Sequence, residues 1–146
     1  MSLDGKSIAM KWIRRAMLTV AAVALVAVLA QWFPRSMCAN ELVSEIRSPD
    51  GERKVVVFQR DCGATTAASI QASVVAADAP LPSTGGNLFV ADSDHGKAPV
   101  TGSGTPELQV AWTSPREVVL RHDARARVFK SADRVDDVRA SYVESQ

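Results

Sequence analysis

Apolar and polar positions divide this chain into one long unbroken run and a series of short alternations. Ala16 to Phe33, AMLTVAAVALVAVLAQWF, contains no charged residue and is apolar on every helical face. As a helix, Trp12 to Phe33 rises about 33 Å, enough to cross a hydrocarbon core of roughly 30 Å. Beyond residue 38 the pattern changes to segments of four to eight residues separated by turn chemistry, the signature of short strands.

Leu42 to Arg47 predicts a first strand, with Leu42 and Ile46 on one face. Ser48-Pro49-Asp50-Gly51 follows. Proline presets φ at the second position of a type I turn, aspartate suits the third, and glycine takes the left-handed position after it. Val55-Val56-Val57-Phe58 is a β-branched return strand. If Ser48 pairs with Glu52, each pair of facing residues sums to 100, and Cys38 falls opposite Cys62.

Ile70, Ala72 and Val74 alternate with Gln71 and Ser73, which predicts a half-buried strand. Residues 78–87, rich in proline and glycine, predict a loop, and Leu88 to Ala91 a short strand. Asp92 to Pro106 is a polar loop of a length that is often functional or mobile. Strands are expected over Leu108 to Trp112, Val118 to Leu120, Arg125 to Lys130 and Val135 to Val143, with a helix over Ala132 to Ala140 as the weaker reading of the last region. The fold class is therefore all-β. We expect a single small antiparallel sandwich or curved sheet of about seven strands, preceded by one transmembrane or signal helix.

Charge sharpens the division. Up to Met37 there are five bases, Lys6, Lys11, Arg14, Arg15 and Arg35, against Asp4 alone; from Cys38 onward twelve bases face fifteen acids. Four bases before the apolar run place the N-terminus inside and the body outside. Trp12 at one end, and Trp32 with Phe33 at the other, suit the membrane interfaces. The expected organisation is a cytoplasmic basic segment (1–11), a signal-anchor helix (12–33) and an extracytoplasmic β domain (38–146). The competing reading is a cleaved signal peptide, with small residues at Val28 and Ala30 before the cleavage point. Cys38 lacks the small-residue context of a lipoprotein cysteine. The body has no basic run and few aromatics, so nucleic acid is not an expected partner. Two cysteines in an exported chain are most simply a disulfide, Cys38 to Cys62.

SPDG, VFQRDCGATT, the S-x-Q-x-S-V strand and GGNLFVAD together resemble a family of small uncharacterised bacterial envelope proteins, over most of residues 38–130. The resemblance implies a shared fold and compartment, a bacterial inner membrane with the domain in the periplasm. It implies no activity.

Candidate chemistry is sparse. Asp92, Asp94 and His95 are metal-like residue types, but their number and spacing match no specific loop, so no metal and no cofactor are expected. Adjacent His122 and Asp123 point to opposite faces of a strand and do not form a base with its orienting acid. There is no phosphate-cradling glycine loop or nucleophile elbow, so no enzyme is expected. Arg60, Asp61, Thr65 and Thr66 flank Cys62. They are either a corner that meets a partner or short polar side chains bonding their own loop. The expected function is a membrane-anchored, non-enzymatic binding module with an envelope protein as partner. The alternative is a secreted periplasmic inhibitor or immunity-type protein acting through the loop from Asp92 to Pro106.

Overall fold

The structure, a computed structural model, describes residues 4–32, 38–63 and 66–146. The chain forms two compact units, Met1–Arg35 and Ser36–Gln146. Phe33 and Thr65 lie outside the described residues, as does the side chain of Trp32.

The first unit holds α1, Asp4–Trp32. It starts before the apolar run, so Lys6 and Lys11 lie within the helix. Met10–Leu29 is long and apolar enough to cross a membrane and has none of its surface buried within the protein. Trp12 is 67% exposed. Lone helices of this composition serve as anchors or as signal sequences.

The second unit contains nine strands: β1 (Ala39–Arg47), β2 (Arg53–Asp61), β3 (Ser69–Ala76), β4 (Phe89–Asp92), β5 (Leu108–Ser114), β6 (Glu117–Asp123), β7 (Arg127–Ser131), β8 (Arg134–Val135) and β9 (Val138–Ser145). They form two sheets, ordered β1-β2-β3-β4-β7 and β5-β6-β9-β8. The all-β fold is as expected, with two differences. The region from Val135 to Val143 is split by a turn in which Asp136 takes φ 52°, and no helix forms there. One pairing, β6 with β9, is parallel. The chain reaches β9 only after visiting the other sheet at β7, so the two strands run the same way.

The facing surfaces of the sheets make the core. Val55, Val57, Ile70, Ala72, Val74, Phe89, Leu120 and Val138 are all buried in it. Trp112 borders it from β5 and donates its indole N–H to the Ile46 carbonyl of β1, at 2.9 Å. Tyr142 donates its hydroxyl to the Ala132 carbonyl at 2.7 Å. Phe89 stacks on Tyr142 and lies tilted against the buried His122 ring.

The first hairpin departs from its expected register and recovers. Ser48 faces Arg53 rather than Glu52, with the Ser48 N–H on the Arg53 carbonyl. Pairs near the turn therefore sum to 101, as Ile46 with Val55. Val43 is then left unpaired as a bulge, and pairs beyond it sum to 100, from Leu42 with Phe58 to Ala39 with Asp61. The next positions are Cys38 and Cys62, which form a disulfide. The same bulge separates Leu42 from Ile46. Ile46 packs on the core, whereas Leu42 lies on the opposite face and is 48% exposed.

The outward face of the five-stranded sheet is the second correction. Gln71 and Ser73, expected in water, are buried together with Val56 and Phe58. The 77–87 loop lies across them. Gly86 N–H bonds the Gln71 Oε1, and Asn87 N–H bonds the Ser73 hydroxyl. Asn87 also pairs its side chain with both backbone groups of Val74, and the Lys130 ammonium donates to the Gly86 carbonyl. A polar strand face is thus satisfied by loop backbone instead of solvent.

Candidate functional site

The covering loop reaches only part of that outward face. Towards the disulfide end, the same face is open and forms a groove of about 510 Å³. This volume lies within the usual range for ligand sites, roughly 300–1,000 Å³. Strand register explains its floor. Arg60 faces Ser69 across β2 and β3, Val90 faces Gln71 across β4 and β3, and Arg127 faces Asp92 across β7 and β4. Thr66, Ala67, Cys62, His95 and Phe129 complete the wall.

Two candidate regions that are separate in sequence therefore meet. Arg60 and Thr66 stand at one end of the groove, Asp92 and His95 at the other. Asp61 is not in the wall; its carboxylate accepts the Gly63 N–H at 2.8 Å and shapes the corner. The Thr66 hydroxyl donates to the Gly63 carbonyl at 3.3 Å. Arg60 performs a longer-range task. Its Nη1 donates to Asn40 Oδ1 at 2.6 Å and to the Ser83 carbonyl at 3.2 Å, tying the end of β1 and the covering loop to β2.

Asp92, Asp94 and His95 form an ion-pair knot. Arg127 makes a two-pronged contact with the Asp92 carboxylate, and Asp92 Oδ1 also accepts the Asp94 N–H at 2.9 Å. Burial pushes the Asp92 carboxyl up, and the Arg127 and Asp94 hydrogen bonds outweigh it, leaving the group below its ordinary range. Asp94 bonds the Lys97 ammonium at 2.6 Å and lies 3.3 Å from His95 Nδ1. The Lys97 contact is the main reason its carboxyl is also held low. Asp94 and His95 adopt φ of 45° and 59°, which turns the chain sharply and projects His95 into solvent. Among the described residues, no group of three or more His, Cys, Asp or Glu side chains is placed to hold a metal ion. The rest of the 92–106 loop folds back on itself. Val100 bridges Pro106, and Thr105 and Ala98 are buried.

Arg127 and Phe129 are among the wall residues that sequence reasoning missed, with Ala67, Ser69 and Val90. Phe129 is 59% exposed and carries the Arg127 guanidinium 4.9 Å above its ring. The available signal was parity: in Arg125 to Lys130, phenylalanine shares its alternation with arginines rather than with alanine and valine. The β4–β7 register skips Phe129, so the edge strand is bulged as well as charged and short. Such edges resist strand addition. The groove therefore offers side chains and not a free backbone edge.

Comparison with protein-family models, with curated proteins and with solved structures finds no match to this chain.

His122 faces the core, as its parity with Val118 and Leu120 requires. Its Nδ1 donates to the Asp123 carbonyl at 3.0 Å. The Asp123 carboxylate instead bonds Arg125, chiefly through the side chain and also through its N–H, and is held down to about 2.

Proposed function

We propose that residues 38–146 are a non-enzymatic binding module of the bacterial envelope, held outside the membrane by α1, and that the module meets a protein partner at the groove above β3, β4 and β7. One observation carries the reading. The covering loop leaves part of the outward face of the larger sheet open, and there Arg60, Val90, Arg127 and Phe129 line a groove. A solvent-exposed aromatic beside arginine, with Val90 among the floor residues, is a residue combination enriched at protein-binding surfaces.

The compartment is part of the same proposal. A disulfide suits an oxidising environment, and an apolar helix at the N-terminal end suits export. Retention of α1 makes the protein a single-pass inner-membrane protein with its β domain in the periplasm.

Native electrophoresis of the full chain in mild detergent tests the reading. The wild-type chain is expected in a complex larger than its own mass. Phe129→Ser should release it, and Thr113→Ser, on the exposed face of β5, should not. Release by neither substitution, or by both, contradicts the assignment of the groove.

A further inference from the structure

Four bases of the β unit are buried or half-buried: Arg53, Lys54, Arg60 and Arg116. Three face carboxylates. Arg53 meets Asp136 and Asp137, Lys54 meets Glu45 at 2.8 Å, and Arg116 meets Asp50, Glu52 and Asp137. Arg60 is different. Its only side-chain bonds among the described residues go to a neutral amide oxygen of Asn40 and a backbone carbonyl of Ser83. The undescribed residues beside it, Ala64 and Thr65, carry no carboxylate. The groove's own acid, Asp92, is already held by Arg127. Half-burying a guanidinium without a counter-ion is unfavourable, and a fork with free N–H donors on an open groove matches a planar anion.

We propose that Arg60 is the receptor for a carboxylate presented by the protein partner, with an apolar side chain next to that carboxylate resting on Phe129 and Val90. This rests on the groove reading above and names what the groove recognises. Charge selects a carboxylate over a phosphate. The wall carries two guanidiniums and one carboxylate, so a single negative charge neutralises it, whereas a dianion adds repulsion from Asp92. The neighbouring Thr66 and Ser69 hydroxyls are neutral and already donate to the Gly63 and Arg60 carbonyls, which leaves Arg60 as the donor for the carboxylate. The apolar requirement follows from the Phe129 ring, which is 59% exposed and carries the Arg127 guanidinium over one face.

The test uses the full chain in zwitterionic micelles and follows the Arg60 side-chain N–H and Phe129 ring signals by nuclear magnetic resonance. The probes are N-acetyl-leucine, its amide, and acetyl-Leu-Asp-amide. The first imitates a chain end, and the last an acidic side chain. Saturable shifts at both residues are expected with at least one carboxylate probe, with binding at least about fivefold weaker for the leucine amide, a difference of roughly 1 kcal/mol. Arg60→Gln should abolish the preference for the acid. Because that change also unties Ser83, Phe129→Ser serves as the second variant and should weaken the preferred probe by a similar factor while the fold stays intact. Equal binding of acid and amide, with Phe129 still shifted, overturns the role of Arg60 and leaves the groove reading standing. Shifts with no probe at all overturn the carboxylate inference, and the native complex then decides the groove reading separately.

Discussion

Cys38 stands opposite Cys62 because Val43, five residues further along β1, is unpaired. The turn shifts the hairpin by one residue, and the bulge shifts it back. Deleting Val43 should join the Ser44–Val57 and Leu42–Phe58 pairs into one unbroken ladder and leave Cys38 opposite Cys62. The expected outcome is a chain in which thiol labelling under denaturing, non-reducing conditions finds no free cysteine, as in the wild-type chain. Two labelled cysteines in the deletion variant would show that Val43 is not the extra residue of the bulge.

The disulfide spans a separation of 24 residues. In the chain-entropy account a loop of this size stabilises the fold by about 3 kcal/mol. Replacing both cysteines with serine should lower the denaturant midpoint of the β unit accordingly, with little change in slope. An unchanged midpoint would contradict the assignment.

Gly86 and Gly51 should respond differently to alanine. A Cβ on Gly86 meets the Phe89 carbonyl oxygen at 2.7 Å and the Ala72 carbonyl oxygen at 2.8 Å, both backbone atoms that cannot swing away. Gly51 has open space and a φ of 74°. We expect Gly86→Ala to cost about 2–4 kcal/mol through overpacking and a displaced covering loop. Gly51→Ala should cost only about 1 kcal/mol, from the left-handed backbone. Chemical denaturation of the two variants checks the order.

The chain's single tyrosine makes an alkaline test clean. Burial raises the Tyr142 hydroxyl to about 12. Unfolded tyrosine ionises near its ordinary value of 10.0, so the unfolded state loses its proton first. The protection from ionisation is complete below that value and is lost as pH rises from 10.0 through about 12. Tyrosinate absorbance should appear together with unfolding. Tyr142→Phe should remove this part of the alkaline sensitivity while costing about 1–2 kcal/mol at neutral pH, from the unpaired Ala132 carbonyl.

On the acid side Asp50 is the informative group. The Ser48 hydroxyl at 2.6 Å is the largest cause of its depression to about 2, with the Glu52 N–H and Arg116 adding to it. Its stabilising contribution is present above the ordinary value of 3.8 and is lost as pH falls through about 2. Ser48→Ala should raise the Asp50 midpoint, read by carboxyl resonance, more than Arg116→Met does. The reverse order would contradict the assigned cause.

Much of this was legible along the chain, and what was not has physical reasons. The apolar run, the hairpin at Ser48 to Gly51 and the Cys38–Cys62 bond follow from composition, turn chemistry and compartment. The Val43 bulge leaves no compositional mark, since valine suits a paired strand equally well. The burial of Gln71 and Ser73 depends on the partners that Gly86 and Asn87 bring to them, and alternation alone reads such residues as exposed. The parallel pairing of β6 and β9 is a property of the path through β7, which no local segment encodes. Arg60, Thr66, Asp92 and His95 were each noticed, but their meeting depends on β2, β3 and β4 being neighbours in one sheet. Phe129 was passed over because an aromatic in a strand ordinarily belongs to the core.

Photo-crosslinking in living cells tests the central claim most directly. A photoreactive residue placed at position 129 of the full chain looks into the groove, and one at position 113 looks away from it. The account predicts a discrete adduct of one protein from position 129, lost when Arg60→Gln is added, and no such adduct from position 113. The same adducts from both positions, or an adduct from position 113 alone, would contradict the groove as the binding surface.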